Sequence, residues 1–408
     1  MNSARLEAEI NELAGFSSHP APAVTRVLFS PEDLAARAWL REKFEAAGLS
    51  VRQDAVGNLF ARWEGTDPDQ PAVATGSHTD AIPNAGKFDG VVGVLGALEA
   101  VRTLQESGFQ PRRSIEIVMF TAEEPTRFGL GCLGSRMLSG ALDAERAAAL
   151  RDANDASIES LRGAAGCEGP LAGVRLDPGH WSAFLELHIE QGPLLERDGI
   201  DIGIVEKIAA PAAFRVRLTG EGGHAGAVLM PDRRDAGLAG AEIALAVEEA
   251  AKTSGSADTV GTTGVFRIEP DAINSVPARA LLEIDLRDTD LAARDRAEAA
   301  IRTAIVGVCG RRRIDYEVET INSDPPAICD PELVARLEAI AGNLGLSSRR
   351  MISRAYHDSL FIARICPTVM VFIPCRNGWS HRPDEFASPA AISNGVAVLA
   401  EMLRAESR

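Results

Sequence analysis

The feature that most constrains the fold of this chain is an alternation of short apolar strands and a glycine-punctuated helix, broken once by a self-contained run of a different rhythm. Residues 71–76, PAVATG, read as a buried strand, and residues 90–107, GVVGVLGALEAVRTLQES, carry apolar spacing suited to a helix packed on a sheet. SIEIVMFT at 114–121 and SAFLELHI at 182–189 are further strands. Strand–helix–strand order with nearly continuous apolar strands predicts an α/β core with a mainly parallel sheet and flanking helices. The glycines of GVVGVLG lack phosphate-loop spacing and read as close helix–sheet contacts.

From about residue 209 the pattern becomes strand (AAFRVRLTG), helix (DAGLAGAEIALAVEEAAKTSG), two alternating strands (TTGVFRIEP, ARALLEIDLR), helix (LAARDRAEAAIRTAIVGVCGRR) and strand (RIDYEVETIN). That β-α-β-β-α-β order predicts an inserted ferredoxin-like domain. Pro325-Pro326 then reads as a linker, after which a helix over 330–345, the strand TVMVFIPC at 368–375 and a helix over 389–404 return to the first pattern. The expected organisation is one α/β domain, residues 1–208 and 326–408, interrupted by an inserted domain over residues 209–325.

The 408 residues exceed one ordinary core, which agrees with two domains. A formal net charge of −16 argues against nucleic acid and anionic membrane as partners, since both need a basic footprint. Six cysteines without a CxxC pair read as reduced thiols. The N-terminal MNSARLEAEINELAG reads as an amphipathic helix without a signal-peptide apolar stretch, and a cytoplasmic enzyme is expected.

Chemistry-bearing residues gather where the strands end. GSHTD carries His78 and Asp80, GKFDG carries Asp89, TAEE carries Glu123 and Glu124, ELHIEQG carries His188, and GWSHRPDE carries His381. In open α/β sheets, sites form outside the carboxyl ends of strands. A lone buried histidine is more often a satisfied core residue, and an acidic pair is usually a solvated turn. Three histidines and several carboxylates meeting on one sheet edge are hard to satisfy without cations. The nitrogen and carboxylate donor set excludes a soft-metal site.

The order HxD…D…EE…H…H in these strand contexts resembles the metal-dependent amidohydrolases related to aminoacylases and carboxypeptidases. Within them the chain is similar to the branch acting on ureidoglycolate, allantoate and N-carbamoyl-L-amino acids. The strings that carry the likeness include GSHTDAIPNAGKFDGVVGVLGALEA, FTAEEPTRFGLGCLGSR, LELHIEQGP, GGHAGAVLMPDRRDA, INSVP, EIDLRD and YHDSLFIARICPTVMVFIPC, spanning residues 76 to 388.

The resemblance implies one divalent ion on His78, Asp89 and His188 and another on Asp89, Glu124 and His381, with Asp89 bridging. It implies manganese, with zinc, cobalt or nickel able to substitute on coordination grounds. Glu123 would be the general base, passing a proton from the attacking water to the leaving nitrogen, and Asp80 would orient His78. The resemblance also makes residues 1–208 and 326–408 the catalytic domain and the inserted residues 209–325 a lid, and His224, in GGHAG, would stabilise the oxyanion from the lid or a dimer partner; a loop histidine between glycines is the plain alternative. Gln191, Asn274, Arg287, Tyr356 and His357 are expected substrate contacts. Arg287 suits a substrate carboxylate, and a salt bridge with Asp285 or Asp288 is its competing reading. Cys132, eight residues after Glu124, is expected to pack, with lining the site as the alternative reading, and His19 and His180 to lie on loops or the surface. HAGAVLM at 224–230 and SRAYHD at 353–358 depart from the usual allantoate and carbamoyl patterns. Together they point to ureidoglycolate as substrate, cleaved to glyoxylate, ammonia and carbon dioxide, with N-carbamoyl amino acids or allantoate as the alternative. A homodimer through the lid is implied as well.

Overall fold

A computed structural model describes all residues, 1–408. The chain forms two compact units. The first comprises Met1–Glu206, Ile328–Ser353 and His357–Arg408; the second comprises Lys207–Ala327 and Arg354–Tyr356.

The first unit is organised by a nine-stranded sheet. From one side it runs Ile202–Ile208, Thr368–Ile373, Trp181–Ile189, Ala72–His78, Ile115–Phe120, Leu59–Trp63 and Ser50–Gln53. The short strands Ala327–Ile328 and Ser348–Ser353 join it at Ile202–Ile208. The sheet is mixed. Thr368–Ile373, Trp181–Ile189, Ala72–His78 and Ile115–Phe120 are mutually parallel. Ile202–Ile208, Leu59–Trp63 and Ser50–Gln53 are antiparallel to their neighbours. The parallel strands are buried on both faces, which is why their sequences are nearly unbroken apolar runs.

Helices Val91–Glu106 and Pro389–Glu406 pack together against this sheet. They sit close because both carry glycine at the contact. A Cβ on Gly93 would lie 2.6 Å from the Leu187 carbonyl oxygen, and one on Gly395 would lie 2.6 Å from Leu187 Cδ1. A second apolar cluster includes Phe60, Phe120, Trp181, Phe184, Met137 and Ile362. The parallel alignment places His78 and Phe120 level with each other, and His188 level with Phe372. The chain segments leaving these strands therefore emerge side by side.

The second unit has a four-stranded antiparallel sheet in the order Val260–Glu269, Arg279–Asp288, Ala210–Thr219, Asp315–Ser323. Helices Ala236–Lys252 and Leu291–Arg312 pack on it around Phe214, Ile243, Leu282, Ile284 and Ile301. A two-residue ladder pairs Gly223–His224 with Ser275–Val276. No helix of the chain is long and apolar enough to cross a membrane.

Candidate active site

Asp89 lies in the turn just before helix Val91–Glu106, and its two carboxylate oxygens face different partners. Oδ1 is 3.1 Å from His188 Nε2 and 3.7 Å from His78 Nε2. Oδ2 is 3.2 Å from His381 Nε2, which is also 3.3 Å from Glu124 Oε1. Potential ligand atoms within each of the sets His78–Asp89–His188 and Asp89–Glu124–His381 lie within 4.8 Å of one another. The five expected ligands are thus brought together, divided into two groups by a single carboxylate. Such a set suits two neighbouring divalent cations bound through nitrogen and oxygen, with Asp89 shared.

The histidine rings are aimed by the backbone. His78 Nδ1 is 3.0 Å from the Asp80 carbonyl oxygen, and His188 Nδ1 is 2.8 Å from the Ile189 carbonyl oxygen. Each contact turns Nε2 toward Asp89. Asp80 was expected to orient His78 through its carboxylate; its carbonyl makes the closer contact, with Oδ1 at 3.6 Å. The Asp80 carboxylate instead accepts the backbone N–H groups of Glu123 and Glu124, at 3.2 and 3.0 Å. It therefore fixes the turn that carries the acidic pair. On the other side, the N–H groups of Cys132, Leu133 and Gly134 donate to the carbonyls of Glu123, Ala122 and Thr121. Glu123 Oε2 lies 3.8 Å from His78 Nε2, and Cys132 Sγ lies 3.5 Å from Glu123 Oε1. Cys132 thus touches the site as well as packing.

Electrostatics follow from this crowding. Burial alone would lower the pKa of His78, but Glu123, Asp80 and Asp89 outweigh it and hold it well above the ordinary histidine range. Burial would raise Asp89, yet its three histidine neighbours hold it well below the usual carboxylate range. Glu123 is pushed well up, first by burial and then by Glu124, Asp358 and Asp89, against the opposing pull of His78. The His381 imidazole is raised to about 11 by its hydrogen bonds to Asp89 and Glu124. In the protein alone, protons on the histidines neutralise the carboxylates, the role that divalent cations would take over.

The remaining expected residues fall into two sets. Gln191, in left-handed conformation at φ 54°, donates from Nε2 to Asp89 Oδ2 (2.8 Å) and Ser380 Oγ (3.1 Å). Its Oε1 is buried without a hydrogen-bond partner. His357 is 2 % exposed; its ring lies 4.5 Å from that of His188, and its Nε2 is 3.0 Å from Ser353 Oγ. It therefore backs a candidate ligand.

In the second unit, His224 and Asn274 are neighbours across the short ladder, with Ala225 N–H donating to the Asn274 carbonyl oxygen. His224 Nδ1 accepts from Gly226 N–H at 3.1 Å, which leaves the Nε2 side as a donor. The Arg287 fork is held by Asp285, at 2.7 and 3.0 Å, and its guanidinium lies over the Tyr356 ring. The competing salt-bridge reading of Arg287 is therefore present in this structure.

Nothing in the pattern GWSHRPDE marks Glu385 and Ser380 as part of the site, although both flank His381. Gly90 likewise carries no signal in the sequence. It has φ 66°, and a Cβ there would lie 2.5 Å from His78 Nε2, so the turn beneath the site demands glycine.

The model of peptidase family M20/M25/M40 matches residues 74–405. The chain belongs to that family. Ureidoglycolate hydrolase of Arabidopsis thaliana is 52% identical over 401 residues, 97% of this chain and 84% of that protein. N-carbamoyl-L-amino-acid amidohydrolase of Pseudomonas sp. is 36% identical over 98% of this chain and 97% of its own length. The crystal structure of AtUAH in complex with glyoxylate matches with a TM-score of 0.93 and 50% identity, covering 100% of this chain and 98% of that one. Like these family relatives, the chain is an amidohydrolase-type enzyme with an α/β fold built on mixed sheets.

Proposed function

We propose that this M20 enzyme hydrolyses the linear amide of ureidoglycolate: one water releases the terminal nitrogen as ammonia, the carbamate left behind loses carbon dioxide, and loss of the second nitrogen gives glyoxylate, so that each turnover yields glyoxylate, carbon dioxide and two ammonia. The observation that carries the reading is the complete set His78, Asp89, Glu124, His188, His381 and Glu123 in one cluster, in a chain 52% identical to a ureidoglycolate hydrolase. The binding of glyoxylate by AtUAH supports the same product class.

His78, Asp89 and His188 would hold one divalent ion; Asp89, Glu124 and His381 would hold the other. Manganese is the proposed metal. When bound there, two such ions would supply carbonyl polarisation and a water acidic enough to act as nucleophile near neutral pH. Glu123, beside His78 and pushed up by burial, accepts the proton of the attacking water and returns it to the leaving nitrogen. The Asp80 carboxylate keeps Glu123 and Glu124 in place. His224, with Nδ1 occupied by Gly226, offers Nε2–H to the developing oxyanion. Gln191 Oε1, Asn274, Tyr356 and His357 complete the substrate contacts. Arg287 takes the substrate carboxylate by exchanging its pairing with Asp285.

The inserted domain proposed for residues 209–325 has ferredoxin-like strand order and acts as the lid, with residues 1–208 and 326–408 as the catalytic domain. It also supplies a homodimer contact, supported by its exposed edge strand and apolar side chains. The enzyme is cytoplasmic in this reading.

The likeness to an N-carbamoyl-L-amino-acid amidohydrolase favours a second reading, the same machinery on a carbamoyl amino acid or on allantoate. The test is ammonia release from chelator-treated protein given back manganese, with ureidoglycolate, allantoate, N-carbamoyl amino acids and a dipeptide. Manganese-dependent turnover is expected to be strongest on ureidoglycolate. A preference for a carbamoyl amino acid would move the assignment to the second reading, and turnover of the dipeptide alone would sink both.

A further inference from the structure

Glu385 is 4 % exposed and belongs to neither ligand set, yet it joins the two loops that carry Asp89 and His381. Its Oε1 accepts the backbone N–H groups of Phe88 and Asp89, at 2.8 and 3.1 Å. Its Oε2 accepts the Ser380 hydroxyl at 2.9 Å. Ser380 Oγ also lies 2.8 Å from Asp89 Oδ2, the oxygen that faces His381. Glu385 lies flat on Gly86, where a Cβ would come within 2.3 Å of the Glu385 Cβ.

The loop of His381 needs such an anchor. His381 has a left-handed φ of 60°, and its side chain is 46% exposed. Neither feature holds it in place. Its neighbours Asn377 and Gly378 also have positive φ. Within this loop, the Glu385 carboxylate bonds directly to the backbone of Phe88 and Asp89 and through Ser380 to the Asp89 carboxylate.

We propose that Glu385 is a positioning residue that clamps the His381 loop to the Asp89 turn and thereby builds the Asp89–Glu124–His381 cation site, leaving the His78–Asp89–His188 site largely to the sheet. This rests on the two-metal reading above. Groups that orient metal ligands typically change metal affinity about 10- to 100-fold when removed. Asp89 is shared by both sets, so removal of this clamp acts mainly on the second site, the one whose other ligand, His381, sits on the clamped loop and whose Asp89 oxygen, Oδ2, is the one Ser380 holds; the first site keeps His78 and His188 on strands.

The experiment is manganese titration of the full chain by calorimetry, with the electron paramagnetic resonance spectrum of the loaded protein recorded alongside. The parent is expected to take up two ions per chain and give the spectrum of a coupled manganese pair. Glu385→Ala is expected to bind its first ion as the parent does and its second at least about 10-fold more weakly. At limiting manganese its spectrum becomes that of an isolated ion. Glu385→Gln keeps the shape and an acceptor for Phe88 and Asp89, so it rescues the second site. Ser380→Ala removes the link to Asp89 Oδ2 and weakens the same site, which keeps the test open if Glu385→Ala folds poorly. Parental binding of both ions by Glu385→Ala and Ser380→Ala would overturn the proposal. So would equal weakening of both sites, or failure of Glu385→Gln to rescue. A parent chain that binds fewer than two ions would overturn the two-metal reading itself, and this proposal with it.

Discussion

One carboxylate, that of Asp89, faces three imidazoles, and the chemistry at the residue scale follows from that crowding. Hydrogen bonds to Asp89 and Glu124 raise His381 from the ordinary 6.5 to about 11, which favours the imidazolium in the metal-free protein at neutral pH. A folded-state pKa raised above the ordinary 6.5 contributes stability that is fully present below 6.5 and lost as pH rises toward about 11. A cation needs the neutral ring, so its binding displaces that proton and tightens as pH rises through the same window. Calorimetric titration of manganese in buffers of different protonation enthalpy should register proton release; buffer-independent heats would contradict it. Glu123→Ala is expected to retain metal while kcat falls by roughly 10²-fold or more, and full turnover in that variant would remove Glu123 from the base role. Arg287→Ala separates the two readings of that residue. Recognition of a substrate carboxylate predicts a KM rise for carboxylate substrates much larger than for neutral ureides. Equal effects on both would leave the Asp285 pairing as its whole role.

Elements decide how closely these residues can approach. Helix Val91–Glu106 starts at Gly90, whose φ of 66° and contact with His78 leave no room for a side chain. Gly90→Ala is expected to weaken metal binding and lower kcat together. Gly163, near the end of helix Ile158–Ala164, has open space around it. Gly163→Ala should be neutral or stabilising by about 0.4–1 kcal/mol, and thermal melts with metal assay of the two variants check the contrast. The parallel strands were legible as short continuous apolar runs bounded by turn residues, and the long helices by their periodicity. The strand Ile202–Ile208 was not, because it runs almost directly into Ala210–Thr219, so one apolar stretch covers two strands in two different sheets. The short strand Val24–Arg26, paired with Ala81–Ala85, is too brief to show a period.

At the scale of the whole molecule, the exposed apolar side chains of the second unit bear on assembly. Leu238 and Leu245 on helix Ala236–Lys252 are 45% and 67% exposed, and Val260, Phe266 and Ile268 stand on an edge strand. Unpaired edges and grouped apolar side chains favour self-association, and a two-fold dimer is the commonest closed form. The double variant Leu245→Glu, Val260→Glu is expected to be monomeric where the parent is dimeric, as read by light scattering at micromolar concentration. A monomeric parent would end the dimer proposal.

The sequence by itself determined the candidate ligand types, their order along the chain and the strand ends that carry them, because strand patterning and donor chemistry are local properties. It also showed the interrupted organisation, since the β-α-β-β-α-β rhythm is complete within one stretch. Only the tertiary structure decided that Glu385 binds the backbone at Asp89, that Cys132 touches Glu123, that His357 packs against His188, and that Arg354–Tyr356 returns to the second unit. Those contacts are made by turns and loops, whose meeting depends on how the sheet aligns strands far apart in the chain. No periodicity links such partners before the sheet exists.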